Sequence, residues 1–423
     1  MQNVAIVMVW VLGASWAIQG CLCWFYTRSL LRAPREGAKP RPEVLANPPR
    51  IRVIMPLRGA DPFLRSAVRS VVENPYPRLE LCVVLDRPND PAEEIVRESL
   101  AGVDPGRFRI DFLRDHAPER SLVCSSVLQA YGDRQGAYDL LTFCAADTIV
   151  PQKWFWLLAD AMSDPAVGST LGNRWYQPVE GRWGSLVREA WNAGAAVVMW
   201  LCRIPWSGAA ALRPDEVARS GLIDDWKRSL VEDVTIHDAM RRVGLRLAFV
   251  PELTNVNAEE VDLRGGFRFI KRQMLWARLY HPGWWFVLLH ALSGGAAMIL
   301  PVVASGVAVC RGDYASAKIL AASFLTYLVG LVVLWLWLEN SIRHVVDANV
   351  MTLKRTPRRL LKMLAAIPLT QLLYPAAVIS CHVARHVDWR GIRYDLIGRN
   401  TVKMVEYVPF EAEHHPADER TSI

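Results

Sequence analysis

Apolar residues are unevenly spread along this chain. Met1–Phe25 contains no charged residue and is long enough to cross a bilayer. Two further apolar runs lie at about Trp285–Val309 and Ile319–Leu338, joined by the short, nearly neutral connector CRGDYASAK. A fourth, Met363–Cys381, is interrupted by Pro368 and Pro375. Between the first and second runs the pattern changes to short apolar bursts. Ile51–Pro56, Leu79–Leu85, Phe108–Leu113 and Tyr138–Cys144 read as strands, while Phe63–Val72 and Leu122–Tyr131 show helical spacing. Asp61-Pro62 and Asp90-Pro91 are helix-start signals, because proline suits the first helical position. Strands alternating with helices predict a parallel α/β sheet. Lys39–Arg50 contains Pro40, Pro42, Pro48 and Pro49 and reads as a linker, and the polar, acidic chain after Glu406 reads as disordered.

Charge orients the apolar runs. Arg28, Arg32, Arg35, Lys39 and Arg41 follow the first one. A cleaved signal peptide would carry its positive charge before the run and a small-residue cleavage site after it. Neither is present, so an uncleaved anchor is expected, with Met1 outside and Arg28 inside. The second and third runs form a hairpin that leaves the cytoplasm and returns, because the segment after Leu338 is rich in Arg and Lys. Met363–Cys381 is flanked by basic residues on both sides: Lys354, Arg355, Arg358, Arg359 and Lys362 before it, Arg385, Arg390 and Arg393 after it. It lacks the asymmetry of a span and reads as a re-entrant or interfacial element rather than a fourth span. The division is then an anchor at 1–27, a basic linker at 28–49, an α/β domain at 50–282, a membrane hairpin at 283–340, a basic amphipathic and re-entrant or fourth membrane segment at 341–386, and a cytoplasmic tail at 387–423.

Composition agrees with a mixed object: 52% of the 423 residues are hydrophobic and the formal net charge is +7. The basic residues sit beside the apolar runs, which fits an anionic membrane face and not a nucleic-acid partner. Eight cysteines show no metal-site spacing and are expected as reduced thiols. His237, His281 and His290 form no zinc-type set. Of the 17 tryptophans, Trp284 and Trp285 are explained by interfacial anchoring, whereas Trp276 is read as functional.

In parallel α/β sheets, ligands bind beyond the carboxyl ends of the strands. Asp86 and Asp147 both fall there, and Glu232-Asp233 follows a loop and precedes the helical stretch VTIHDAMRRVG. Each alone has a plainer reading as a turn or cap residue. No G-x-G-x-x-G follows the first strand and no G-x-x-x-x-G-K-[ST] occurs, so dinucleotide and P-loop chemistry are unsupported. The phosphates of a ligand must then be held by a metal or by cationic side chains.

Taken in order, these sites resemble the family-2 glycosyltransferases, and most closely the ceramide glucosyltransferase branch with its bacterial lipid and hopanoid-type transferases. The stretch MPLRGADPFLRSAVRSVVENPYPRLELCVVLDRPNDPA is similar to the opening strand, helix and first aspartate of that branch. Ala146-Asp147-Thr148 stands at its metal-binding aspartate. Trp206-Ser207-Gly208, ALRPD and LVEDV resemble the acceptor loop and catalytic aspartate. Arg272-Gln273-Met274-Leu275-Trp276 stands where the family has Q/R-x-x-R-W, and Asp388-Trp389-Arg390-Gly391 with Tyr394 resembles the tail motif.

The resemblance, covering about 48–395, implies a GT-A (Rossmann-like) domain on the cytoplasmic side of an integral membrane protein. It implies inverting transfer of a hexose from a nucleotide-sugar, UDP-linked by analogy, to a membrane lipid such as ceramide. It further implies Asp233 as the base with Glu232 beside it, Asp147 as ligand to Mn²⁺ or Mg²⁺, and Asp86 at the nucleotide. Trp276 and Arg272 belong to the donor site, and Lys271, Arg272 or Arg278 could replace the arginine missing at Leu275. Leu275, and SLVCSSVL at Ser121–Leu128 where relatives carry Lys and Asn, depart from the pattern. They leave room for a polyisoprenyl-phosphate or short-polysaccharide glycosyltransferase, or for a catalytically inactive membrane-anchored relative.

Overall fold

The structure is a computed structural model that describes residues 1–32, 40–133, 137–346, 356–398 and 400–410. Arg35, Lys39, Lys354, Arg355 and the acidic segment 411–423, on which expectations above fell, lie outside the described residues. Helix α1 (Gln2–Leu30) leads through a short α2 (Pro42–Ala46) in the Pro-rich linker into β1 (Ile51–Leu57). There follow α3 (Leu64–Val72), β2 (Leu79–Leu85), α4 (Pro91–Ser99), β3 (Phe108–Phe112), α5 (Leu122–Gly132) and β4 (Leu140–Phe143). The chain continues through α6 (Trp154–Met162), β5 (Val167–Tyr176), α7 (Trp183–Cys202), β6 (Ala211–Leu212), α8 (Pro214–Arg219), α9 (Leu222–Trp226), α10 (Ile236–Arg242), β7 (Arg246–Asn257) and α11 (Leu263–Tyr280). Three long helices follow, α12 (Trp284–Cys310), α13 (Tyr314–Arg343) and α14 (Pro357–His382), and then β8 (His386–Trp389), β9 (Ile392–Gly398) and β10 (Thr401–Glu406).

The expected parallel sheet is present, in the order β3-β2-β1-β4-β6, with only β6 antiparallel to its neighbour. Its inner strands are largely apolar because both faces are covered, and the charged residues they carry, Arg52 of β1 and Glu80 of β2, pair with each other at 2.8 Å. Ile54, Cys82 and Val84 face the α5 side, while Val53, Met55, Val83 and Leu85 face α3, α4 and α6. The Asp90-Pro91 signal is realised: Asp90 caps α4 through the Ala92 amide. At Asp61-Pro62 the helix starts later, at Leu64, with the Asp61 side chain holding the Phe63 amide.

Among the described residues four helices, α1, α12, α13 and α14, are long and apolar enough to cross a membrane. The far ends of α1 and the α12–α13 pair meet, with the Met1 amino group 3.6 Å from Asp313. Helix α14 corrects one expectation. Pro368 and Pro375 do not interrupt it; both lie inside one continuous helix. The Pro375 ring packs where Gly295 of α12 has no side chain, since a Cβ there would stand 2.7 Å from it. Both ends of α14 meet the α/β domain. Near its start Arg359 pairs with buried Glu189 at 2.5 Å and Lys362 reaches the Gly181 carbonyl at 3.0 Å. At its end Arg278 donates to the His382 carbonyl at 2.6 Å.

The segment expected only as a tail is structured. β8, β9 and β10 form an antiparallel sheet, β8 and β9 being joined at Arg390-Gly391, where both residues have positive φ as a tight hairpin requires. Ile392, Tyr394, Val402 and Met404 alternate onto one face and bury against the domain. Disorder after Glu406 is also overturned as far as Phe410, because Phe410 packs directly on Gly59.

Candidate active site

Parallel strands β1, β2 and β4 end on one edge of the sheet, and their next residues carry the polar groups. Arg58 follows β1, Asp86 follows β2 and Asp147 stands just beyond β4. All three line one cavity of about 400 Å³ together with Arg174, Trp206, Glu232, Asp233, Arg272 and Trp276. The sequence-level candidates are thus brought to one place, except Lys271 and Arg278, which do not line the cavity. Arg278 donates to the Cys381 and His382 carbonyls and closes the open end of α14.

Asp86 is buried and crowded. Its Oδ2 accepts from Arg58 and, at 3.0 Å, from the Tyr407 hydroxyl, while Oδ1 has no hydrogen bond and stands 3.4 Å from His116 Nε2. Arg58 also donates to the carbonyls of Arg390 and Val408, so this corner is built from both ends of the domain. Neither Arg390 nor Tyr407 was singled out as a site residue from the sequence. Arg390 lay within the quoted tail motif; Tyr407 carried no signal.

Asp147 pairs with Arg174 of β5 at 2.5 Å through Oδ1 and accepts from Asn257 Nδ2 at 3.1 Å through Oδ2. Arg174 also lies 5.2 Å over the Trp206 ring, and its Nε has no hydrogen-bond partner. Among the described residues no group of three His, Cys, Asp or Glu side chains is placed to hold a metal. One carboxylate is nevertheless a sufficient protein ligand for Mg²⁺ when phosphate oxygens and waters complete the shell. Asp147 on the cavity wall fits that role provided Arg174 yields Oδ1. Arg174 was missed because β5 was not recognised as a strand.

Glu232 and Asp233 sit in the loop before α10 and open on the cavity. Asp233 accepts from the Ser207 amide at 3.1 Å and the Val234 amide at 2.7 Å, which fixes the carboxylate beside the Trp206-Ser207-Gly208 turn. That turn needs glycine: a Cβ on Gly208 would stand 2.4 Å from the Trp206 ring. Burial, and after it the charge of Glu232, raise the Asp233 carboxyl well above the usual carboxylate range. Burial raises Glu232 as well.

Arg272 of α11 also lines the cavity and lies 6.0 Å from the Trp389 ring, and the Trp276 ring lies 5.8 Å from the same ring, tilted by 54°. Arg272 makes no ion pair among the described residues. Burial, and after it the nearby Arg390 charge, bring it down to about 10. Leu275 points into the core and is buried, so it takes no part in the cavity. In the departing helix α5, Leu122, Val123 and Ser126 line the cavity, giving it an apolar flank where charge was expected.

The cavity does not stop at the domain. Gln19 and Cys23 of α1, His290 of α12, Leu334 and Trp335 of α13 and Tyr374 of α14 also line it. A polar end at the strand edge therefore opens into an apolar end among the long helices.

A mannosyltransferase from Pyrobaculum calidifontis, solved with GDP-Man and Mn²⁺, is similar at 18% identity and a TM-score of 0.45, covering 89% of this chain and 98% of that one. Glucosyl-3-phosphoglycerate synthase from Mycobacterium tuberculosis, solved with Mg²⁺ and UDP, is similar at 15% identity and a TM-score of 0.37, covering 56% of this chain and 79% of that one. No curated protein matches the chain. The family model described as glycosyl transferase family 21 matches residues 12–402, which is most of the chain, and the protein therefore belongs to glycosyl transferase family 21.

Proposed function

We propose that this glycosyltransferase moves a hexose from a nucleotide-sugar to a hydroxyl of a membrane lipid, with inversion at the sugar. The observation that carries the reading is the single cavity that joins the acids of the strand edge to the apolar helices. A lipid can lay its chain among α1, α12, α13 and α14 while its hydroxyl reaches Asp233. Asp233, raised by burial, is suited to take the hydroxyl proton as the oxygen attacks. Glu232 beside it sustains that raised value.

The donor side follows from charge. Arg272 and Arg390 form a cationic wall without a carboxylate on Arg272, which suits a diphosphate. Asp86 Oδ1, free of hydrogen bonds, is available to the nucleoside. A divalent cation on Asp147 would supply Lewis-acid stabilisation of the leaving diphosphate. Asp147 and Arg174 orient that end of the cavity, with Arg174 5.2 Å over the Trp206 ring.

In the membrane, we assign α1, α12 and α13 as spans and α14 as an interfacial helix. At about 39 Å α14 is long enough to cross. A crossing, however, would part its two ends, and both ends touch the domain. The basic flank at Arg28 and Arg32 supports a cytoplasmic side for the domain and the β8–β10 sheet.

The test is transfer by purified full-length protein in lipid nanodiscs, with UDP- and GDP-linked hexoses and Mn²⁺, read by mass spectrometry of the lipid extract. A new hexosyl-lipid that disappears in Asp233→Asn is expected. Sugar transfer to a soluble acceptor and to no lipid would overturn the reading.

A further inference from the structure

A second cavity, of about 760 Å³, lies away from the active site where the domain-side end of α1 meets α7, α10 and β7. Every charged side chain that lines it is basic: Arg28 and Arg32 of the α1 end, Arg203, Arg241 and Arg246, with His237 beside them. Arg28, Arg32, Arg203 and Arg241 make no ion pair among the described residues, although this chain pairs many of its other arginines. Of the lining arginines only Arg246 is paired among the described residues, by Asp164 at 2.6 Å, and His237 stands 3.1 Å from Asp238. Arg203 is brought down by burial and then by the nearby Arg246 charge, so the guanidiniums feel one another. Among the described residues no acid lines the cavity.

The level of the cavity along α1 says what belongs there. Trp24 and Phe25, one turn earlier, are exposed at 44% and 54%, and the Arg28 guanidinium lies 5.3 Å over the Trp24 ring. Exposed aromatic rings at the end of a spanning helix sit at headgroup depth, and a basic residue one turn further faces the phosphates. Trp200 of α7 joins α1 through a 3.2 Å hydrogen bond to Ser29, so the cavity has a fixed wall between anchor and domain.

We infer that this cavity binds the phosphodiester headgroup of an anionic phospholipid and thereby fixes the catalytic domain against the bilayer. The inference goes beyond the donor and acceptor sites and rests on α1 crossing the membrane. Arginine is suited to the task because its planar fork pairs two phosphate oxygens at once.

The experiment is native mass spectrometry of full-length protein released from phosphatidylcholine nanodiscs containing phosphatidylglycerol. Wild type should retain phosphatidylglycerol in excess over phosphatidylcholine. Each of Arg28→Gln, Arg203→Gln and Arg241→Gln should lower that preference about fivefold, the worth of one basic residue near an anionic surface. The triple variant should lose it while keeping its melting temperature and its transfer rate in detergent. Equal retention of the two lipids by wild type, or unchanged preference in the triple variant, would overturn the assignment. Stabilisation of wild type but not the triple variant by inorganic phosphate alone, without phosphatidylglycerol retention, would make the ligand a soluble phosphate and equally sink the lipid reading.

Discussion

The Tyr407 hydroxyl donates to Asp86 Oδ2 at 3.0 Å, joining the acid that ends β2 to a residue 321 positions later. Burial, and then the Asp86 charge, push the Tyr407 hydroxyl up to about 12, so it remains a donor at neutral pH. The same corner holds Arg58, whose guanidinium reaches Asp86 and the carbonyls of Arg390 and Val408. Residues after α14 thus build part of the site.

Tyr407→Phe tests whether that contact serves the donor. A hydrogen bond to a charged acceptor is worth about 1.5–3 kcal/mol. Freed of it, Asp86 can turn away from the nucleoside, and the donor KM should rise roughly tenfold or more. The kcat should change little, because the Tyr407 hydroxyl bonds Asp86 while Asp233 is held by the Ser207 and Val234 amides. Equal losses in kcat and no change in KM would assign Tyr407 elsewhere.

Arg272→Gln and Arg278→Gln form a matched pair on one helix. The first removes a cation from the cavity wall, and donor affinity should fall roughly tenfold to a hundredfold, measured by calorimetry with the nucleotide diphosphate. The second should leave donor affinity alone and lower the melting temperature, since Arg278 closes α14. Reversed outcomes would restore the phosphate role to Arg278.

What the sequence made legible, and what it hid, divides along physical lines. β1, β2, α4 and the strand-end acids were readable because burial on both faces leaves largely apolar runs and because Asp90-Pro91 is a local cap. Tyr407 and Arg174 were not, because their roles come from contacts distant in sequence. Arg278 lies outside the cavity for a related reason: helical spacing places it near Arg272, but only the path of α14 brings the Cys381 and His382 carbonyls to it. The prolines of α14 signalled a break, yet the space left at Gly295 accommodates one of them.

Cation dependence turns on Asp147 and Arg174. Asp147→Asn should abolish the effect of Mn²⁺ on donor binding. Arg174→Gln removes the charge that occupies Oδ1, so less Mn²⁺ should be needed for half-maximal binding. A Mn²⁺ titration of donor binding checks both. Identical curves for wild type and Asp147→Asn would take the cation away from this carboxylate.

Sidedness can be read by labelling single cysteines at Glu94, Gly312 and Lys403 in sealed vesicles. The first and third should label from the same side, and Gly312, in the α12–α13 turn, from the other. Lys403 labelling together with Gly312 would make α14 a span.

The pH dependence of transfer concerns the Glu232–Asp233 pair. Burial, and then the Glu232 charge, hold Asp233 above the ordinary carboxylate range. A base must be ionised to accept a proton, so kcat/KM should fall as the pH drops through this raised value. The acid limb should accordingly lie above the usual carboxylate pKa. Glu232→Gln deletes the neighbouring charge, which lowers Asp233 and moves the limb to lower pH, while Asp233→Asn should cost about 10²–10⁴-fold in rate. Stability carries the opposite sign. A carboxyl raised by burial favours the folded state at low pH, and that contribution is lost as the pH rises through the raised value. Acidification should therefore slow transfer while this pair favours folding, a divergence that melting curves and rates measured on the same samples reveal. A limb that stays at the same pH in Glu232→Gln would show that Asp233 is not the group whose ionisation the rate reports.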